Sequence, residues 1–189
     1  MRIEKIWTHE HEAAFLESAP AYLHLPLLLG LWTAQREGDL LALSWASYDG
    51  THIRLKQSKT GARMVIPVGV PLKAALAATK KQSPHFILLN SRGQPWTSYA
   101  FQAAFGTATR KAGIVGLTFH DLRGSAITRL ALAGCSEPEI ATFSGHSLRD
   151  VRTVLEKFYL HRDPKIAESA IRKLEAASNL RKLSQLTPN

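Results

Sequence analysis

An eight-residue run, Leu25-Pro-Leu-Leu-Leu-Gly-Leu-Trp32, does most to limit what this chain can become. It is apolar nearly all round, so it reads as a helix enclosed by other elements rather than one lying on a surface. A chain of 189 residues can enclose it within one domain, or one domain with a small appendage. The run leads into Thr33-Ala-Gln-Arg36-Glu-Gly-Asp39-Leu-Leu-Ala-Leu-Ser-Trp45, a second apolar stretch that begins with a charged residue. A guanidinium between two buried segments is expensive unless it is paired or aimed at an anion. Asp39, three residues on, is placed to brace Arg36 from behind.

Around this centre the patterning is mostly helical. Thr8 can cap a first helix whose opening turn carries Glu10 and Glu12. Ser44–Tyr48 reads as the start of a strand, Asp49-Gly50 as a turn, and His52–Gln57 alternates as a second strand. Ser58-Lys59-Thr60-Gly61 turns the chain into Arg63–Pro67, which makes a three-stranded antiparallel sheet with Lys59 at the tip of its second hairpin. Pro71–Thr79 is a helix with proline at its start, and Phe86–Leu89 a short buried extended segment. Ser98–Ala112 is a helix with Tyr99, Phe101, Ala104, Phe105 and Ala108 as its inner face. The fold class is therefore α+β, mainly α-helical, with one small sheet to the side, over a single domain spanning residues 1–189.

The stretch Thr118–Tyr159, TFHDLRGSAITRLALAGCSEPEIATFSGHSLRDVRTVLEKFY, concentrates the chemistry. Thr118 followed by Asp121 is a capping signature ahead of a helical run. His120 and Arg123, three apart, then share a face of the first turn. That turn also offers free backbone N–H groups and the positive end of the helix dipole, a natural seat for phosphate. Gly145-His146 marks a helix break, and Tyr159 follows in a further helical run.

Charge points the same way. Residues 1–50 hold 3 Lys/Arg against 7 Asp/Glu, whereas residues 51–119 hold 10 Lys/Arg and no carboxylate, within an overall net charge of +9. Surfaces that are merely solvated usually mix signs, so a stretch this long without an acid indicates a polyanion partner, with nucleic acid the simplest. A single cysteine, Cys135, excludes an internal disulfide and fits a reducing compartment. No run is long enough to span a membrane, and the N-terminus has no signal-peptide pattern. A cytoplasmic, nucleoid-associated protein is expected.

Taken singly, each candidate has an ordinary structural reading. Arg36 pairs with Asp39 or Glu37, Lys59 is an exposed turn residue, and HxxR is a surface pair. His146 is a polar helix stop, and Tyr159 a half-buried aromatic. Taken in order, Arg36, Lys59 in KTG, His120 and Arg123 in HDLR, His146 in SGH, and Tyr159 resemble the active site of the tyrosine recombinases, the phage integrase family. His161 is a second candidate for the place of His146. His9, His11, His24, His52 and His85 sit in no motif.

The resemblance implies a site-specific recombinase that cleaves and rejoins double-stranded DNA through a 3′-phosphotyrosyl intermediate, with no metal and no other cofactor. Arg36 and Arg123 would neutralise the phosphorane-like transition state, a task suited to permanently charged bidentate forks, and His146 would donate a further hydrogen bond. A tyrosine hydroxyl is only about 0.1% ionised at neutral pH, so Tyr159 needs a positive field and a proton acceptor, the role given to His120. Lys59 would protonate the departing 5′ oxygen. The same active site admits a tyrosine-type topoisomerase, and the same fold a DNA-binding module without catalysis. A metal-dependent nuclease is disfavoured by the lack of a compact set of ligands.

The resemblance also implies a homotetramer on paired DNA sites and a monomer in isolation. Family members usually carry an N-terminal core-binding domain that clamps the opposite face of DNA. Here only a short lead precedes the catalytic-type region, so that domain is read as absent. Asp163-Pro164 opens a last helix whose Ile166, Ala167, Ala170, Ile171, Leu174 and Ala177 form a stripe. The family exchanges the corresponding segment (163–189 here) in trans; in the isolated chain it is expected to pack in cis.

Overall fold

The computed structural model describes residues 5–158, 167–168 and 170–176. In chain order its elements are α1 (His9–Ser18), α2 (His24–Thr33), α3 (Glu37–Leu41), β1 (His52–Lys56), β2 (Arg63–Pro67), α4 (Val70–Ala78), α5 (Ser98–Lys111), α6 (Asp121–Leu132), α7 (Glu137–Ser144) and α8 (Leu148–Phe158). Residues 170–176 are also helical. The mainly helical α+β reading holds.

Helix α2 is the buried centre that its sequence demands. Leu25, Leu27, Leu29 and Leu31 are all buried, Leu28 is partly buried, and only Trp32 near the helix end is exposed, at 37%. It packs against α4 through Leu72 and Leu76 on one side and against α6 on the other. Gly30 sets how closely α2 and α6 approach. A Cβ added there would lie 2.8 Å from Leu122 Cδ1 and 3.3 Å from Phe119 Cζ.

Beneath this crossing sits an aromatic group contributed by distant parts of the chain. Phe15 stacks on Phe105 with ring centroids 4.7 Å apart. Phe119 meets Phe101 and Phe105 edge-on at 4.9 Å and 5.0 Å, geometries that favour ring quadrupoles. Because Phe119 lies two residues before α6, this packing fixes where α6 starts. A second apolar cluster, Ile127, Ala131, Ile140 and Val151, joins α6, α7 and α8.

Two expectations are corrected. The sheet has two strands, β1 and β2, paired antiparallel with Ile53 opposite Ile66 and Leu55 opposite Met64. The expected first strand, Ser44–Tyr48, is instead a 3₁₀ turn at Trp45–Ser47 that touches the sheet only through a single bridge from Tyr48 to Ile53. Its amides are satisfied locally, Ser47 N–H by the Ser44 carbonyl and Tyr48 N–H by the Trp45 carbonyl, so they are not available to a ladder. Tyr99 is not on the inner face of α5: it is 87% exposed, while Phe101, Phe105 and Ala108 recur at helical spacing and are buried.

In the C-terminal stripe Ile171 and Leu174 are exposed, at 54% and 63%, and Lys173 Nζ donates to the Gly134 carbonyl at 3.2 Å. Ile166, Ala177 and the Asp163-Pro164 helix start lie outside the described residues.

The two glycines Gly30 and Gly38 should respond oppositely to alanine. Around Gly38 an added Cβ would meet nothing within 4 Å. Gly38→Ala is expected to gain about 0.5–1 kcal/mol from reduced unfolded-state freedom. Gly30→Ala is expected to lose about 1–2 kcal/mol, because overpacking against Leu122 and Phe119 outweighs the gain in helix propensity. Urea denaturation of the two variants measures both.

Candidate active site

The site is built from the start of α6. Thr118 donates its backbone N–H and its hydroxyl to Asp121 Oδ2, at 2.8 Å and 2.7 Å, clamping the turn that leads into the helix. With Phe119 held in the aromatic core, the next turn leaves His120 exposed and carries Arg123 inward, where it is 5% exposed. Arg123 Nη1 donates to the carbonyl of Ala34. Ala34 caps α2 in the left-handed region at φ 55°, unusual for a residue with a Cβ, and so turns the chain as α2 ends beside the buried guanidinium. Among the described residues no carboxylate forms an ion pair with Arg123. Burial, and next the neighbouring Arg36, lower its guanidinium to about 10, with Asp39 and Asp150 pulling the other way. It is charged at neutral pH.

Arg36 occupies the N-cap position of α3. The two carboxylates that follow it are engaged elsewhere. Glu37 accepts from the Ser98 hydroxyl and from Gln102 Nε2 on α5. Asp39, buried, accepts the Ser58 N–H at 2.8 Å, and its other oxygen has no hydrogen-bond partner among the described residues. The expected brace from Asp39 to Arg36 is therefore not formed: the amide at the base of the Lys59 turn takes its place, because the β1–β2 turn folds over α3. Arg36 Nη1 instead donates to Gln57 Oε1 at 3.2 Å.

His146 follows the end of α7, where Gly145 takes φ 70°. The Ser144 hydroxyl donates to the Ile140 carbonyl at 2.7 Å, and its oxygen lies 2.9 Å from His146 Nδ1. The Arg123 guanidinium meets both ring nitrogens, Nε–H donating to Nε2 at 3.2 Å and Nη2 lying 3.1 Å from Nδ1, so which nitrogen carries the ring proton depends on the tautomer. Burial, Arg123 and Arg36, in that order, push the imidazole down to about 4, opposed by Asp150. His146 is neutral at pH 7.

Arg36, Lys59, His120, Arg123 and His146 line one cleft of about 420 Å³. Five of the six motif residues thus converge from α3, the hairpin, α6 and the α7–α8 junction. Tyr159 and His161 lie outside the described residues. Lys5, Asp121 and Asp150 also line the cleft. Asp121 is tied to Thr118, and a hydrogen bond from Ser147 holds the Asp150 carboxylate below the usual range. The cleft is a concave cationic seat whose two guanidiniums have no ion-pair partner among the described residues, suited to an oxyanion with several oxygens.

Sequence reasoning missed Lys5, because nothing in the lead marks it, and it missed the buried amides of Gln35 and Gln57. Gln57 did carry a signal. It continues the inward parity of Ile53 and Leu55, a polar residue on the core side of a strand.

The family model described as the phage integrase family matches residues 2–165. The integrase of Escherichia phage HK022 is 29% identical over 137 residues, covering 65% of this chain and 38% of that protein. The shufflon-specific DNA recombinase of Escherichia coli is 33% identical over 129 residues, covering 66% of this chain and 32% of that protein. The chain spans about a third of the length of the curated relatives it matches. Among solved structures, the lambda integrase catalytic core superposes with a TM-score of 0.66 at 25% identity, over 75% of this chain and 91% of that chain.

Two measurements follow from the His146 corner. The unfolded chain protonates this ring near pH 6.5, whereas the folded chain holds it neutral down to about 4. Its contribution to stability is complete above pH 6.5 and is lost as pH falls toward 4. After allowance for solvent screening of a half-buried ring, the loss is about 1–2 kcal/mol. Urea denaturation across pH 4–7 should show a shallower decline for His146→Gln than for the wild type. A Cβ at position 145 would fall 2.4 Å from Gln57 Nε2 and would also be strained at its positive φ. Gly145→Ala is expected to destabilise by about 2–4 kcal/mol, read in the same denaturation experiment.

Proposed function

The chain belongs to the phage integrase family. On that premise we propose that it is a site-specific DNA recombinase, cleaving and rejoining double-stranded DNA through a 3′-phosphotyrosyl intermediate. The observation that carries the reading is the convergence of Arg36, Lys59, His120, Arg123 and His146 on one cleft in which neither guanidinium is ion-paired among the described residues. A scissile phosphate seated there places its non-bridging oxygens against two bidentate donors. The anion also favours a proton on His146 Nε2, replacing the internal bond to Arg123 by a bond to substrate.

In the reaction, Tyr159 Oη forms a bond to phosphorus as the P–O5′ bond breaks. His120 takes the phenolic proton, and Lys59, exposed on its turn, gives one to the 5′ oxygen. The products are a 3′-phosphotyrosine and a free 5′-hydroxyl. Attack by the 5′-hydroxyl of another strand releases the tyrosine and completes exchange, with the bond energy kept in the covalent link. Two duplexes contain four strands, so exchange on paired sites calls for four chains, while the isolated chain is expected to be a monomer. A substrate of this kind places its work at the nucleoid in the cytoplasm. Residues 1–189 would constitute the catalytic domain.

The test is a nicked suicide duplex carrying DNA that flanks the encoding element, incubated with chelator and resolved on a denaturing gel. A covalent protein–DNA band is expected from the wild type and is absent from Tyr159→Phe. Arg36→Ala and Arg123→Ala should each slow its formation by about 10²–10⁴-fold while weakening DNA binding far less. Cleavage that needs a divalent ion, or a band that persists in Tyr159→Phe, would sink the reading.

A further inference from the structure

Gln57 is fully buried, 0% exposed, at the point where β1 runs into the turn that carries Lys59. Its amide uses every hydrogen-bonding position it has. Nε2 donates to Gln35 Oε1 at 2.7 Å and to the Ser144 carbonyl at 3.0 Å. Oε1 accepts from Arg36 Nη1 at 3.2 Å and from Thr60 Oγ1 at 2.8 Å. The orientation is determined by chemistry, since a flipped amide would set its NH₂ against a guanidinium and its oxygen against a carbonyl. The backbone adds two bonds, Gln57 N–H to the Ala62 carbonyl and Gly61 N–H to the Gln57 carbonyl, that close the turn around Lys59. Only a glycine at position 145 leaves room for this amide.

Through these bonds one side chain touches three of the segments that furnish the cleft. They are the Arg36 cap of α3, the hairpin turn next to Lys59, and the end of α7 one residue before Gly145-His146. We propose that Gln57 is a positioning residue for the strand-transfer reaction: it holds the Arg36 guanidinium in the orientation that stabilises the transition state and couples it to the Lys59 turn. This rests on the reading of the cleft as a phosphodiester-cleaving site. The physical reason is that Arg36 is half-buried and, among the described residues, has no carboxylate partner, so this neutral acceptor is what directs its side chain there. A neutral acceptor orients the fork without cancelling the charge that a phosphate needs, whereas a carboxylate in the same place would do both.

The test uses Gln57→Met, similar in volume but without the bonds, Gln57→Glu, which keeps the acceptors and adds a charge, and the double variant Gln57→Met/Arg36→Ala. The rate of covalent adduct formation at saturating DNA is measured beside DNA affinity. Arg36 side-chain N–H resonances are recorded in the DNA-free proteins. Gln57→Met is expected to lose the ordered Arg36 resonances and to slow adduct formation by about 10–100-fold, with DNA affinity changed less than about threefold. Added to Arg36→Ala it should slow the reaction less than about threefold further, because it acts through a side chain already removed. Gln57→Glu should keep Arg36 ordered yet remain slow.

The proposal is overturned if Gln57→Met retains the Arg36 resonances and the wild-type rate, or if its defect multiplies in full on Arg36→Ala. Should Gln57→Met fail to fold, ordered Arg36 with an unimpaired rate in Gln57→Glu would also overturn it. If the wild type itself forms no adduct, the reading of the reaction fails. The Arg36 resonances then still decide whether Gln57 positions that residue.

Discussion

The structure depends on keeping a guanidinium, Arg123, inside the protein with no ion-pair partner among the described residues. Removing such a charge from water is tolerable only when its donors are met. Here the donors reach the carbonyl of Ala34 and the ring of His146, while Asp39 and Asp150 act at a distance. Those requirements explain features that look unrelated. Helix α2 ends in a left-handed alanine beside Arg123. Helix α6 has its first turn locked by Thr118 and Asp121, so that its third residue points inward. Helix α7 stops at a glycine, which lets the next residue fold back over the site. Each terminus is spent on the same cation, and burial, with the field of that cation added to it, keeps the adjacent imidazole neutral.

Around this point the molecule separates rigid support from accessible chemistry. The α2–α6 crossing and the Phe15, Phe101, Phe105 and Phe119 rings are fully apolar and fix the backbone. A thin polar layer, Gln35 and Gln57 with the Ser144 and Thr33 carbonyls, lies between that core and the cleft. Buried amides suit this layer because they donate and accept without adding charge, so the cationic field of the two arginines is not neutralised from behind. The residues at the surface, His120 and Lys59, are exposed and free to meet a substrate.

Much of this was legible in the linear sequence. The all-round apolar run over 25–32 required a buried helix, and HDLR after Thr118 announced a helix start with two functional groups on one face. The KTG turn put Lys59 at a hairpin tip. What stayed hidden depends on contacts between distant residues. Asp39 looked like a partner for Arg36 because the two are near in sequence, yet the amide it serves is Ser58, brought over by the hairpin. Gln57 bonds the Ser144 carbonyl across 87 positions, a link no periodicity encodes. Ser44–Tyr48 has strand-forming residues, but local i to i+3 bonds won over pairing. Tyr99 read as core because it is aromatic, although it is out of phase with Phe101 and Phe105 on α5.

The N-terminal lead is attached more firmly than its length suggests. Trp7 is 1% exposed; its backbone N–H donates to Ser125 Oγ at 2.8 Å and its indole N–H to the Thr118 carbonyl at 3.0 Å. Both partners belong to the turn and helix that carry His120 and Arg123, and Lys5 already lines the cleft. Trp7 thus moors the lead to the segment that presents the site. Any polypeptide joined ahead of it, whether a domain or an affinity tag, sets out from the cationic cleft itself. Tension or disorder in such an extension would be felt first by the turn that presents the two motif residues.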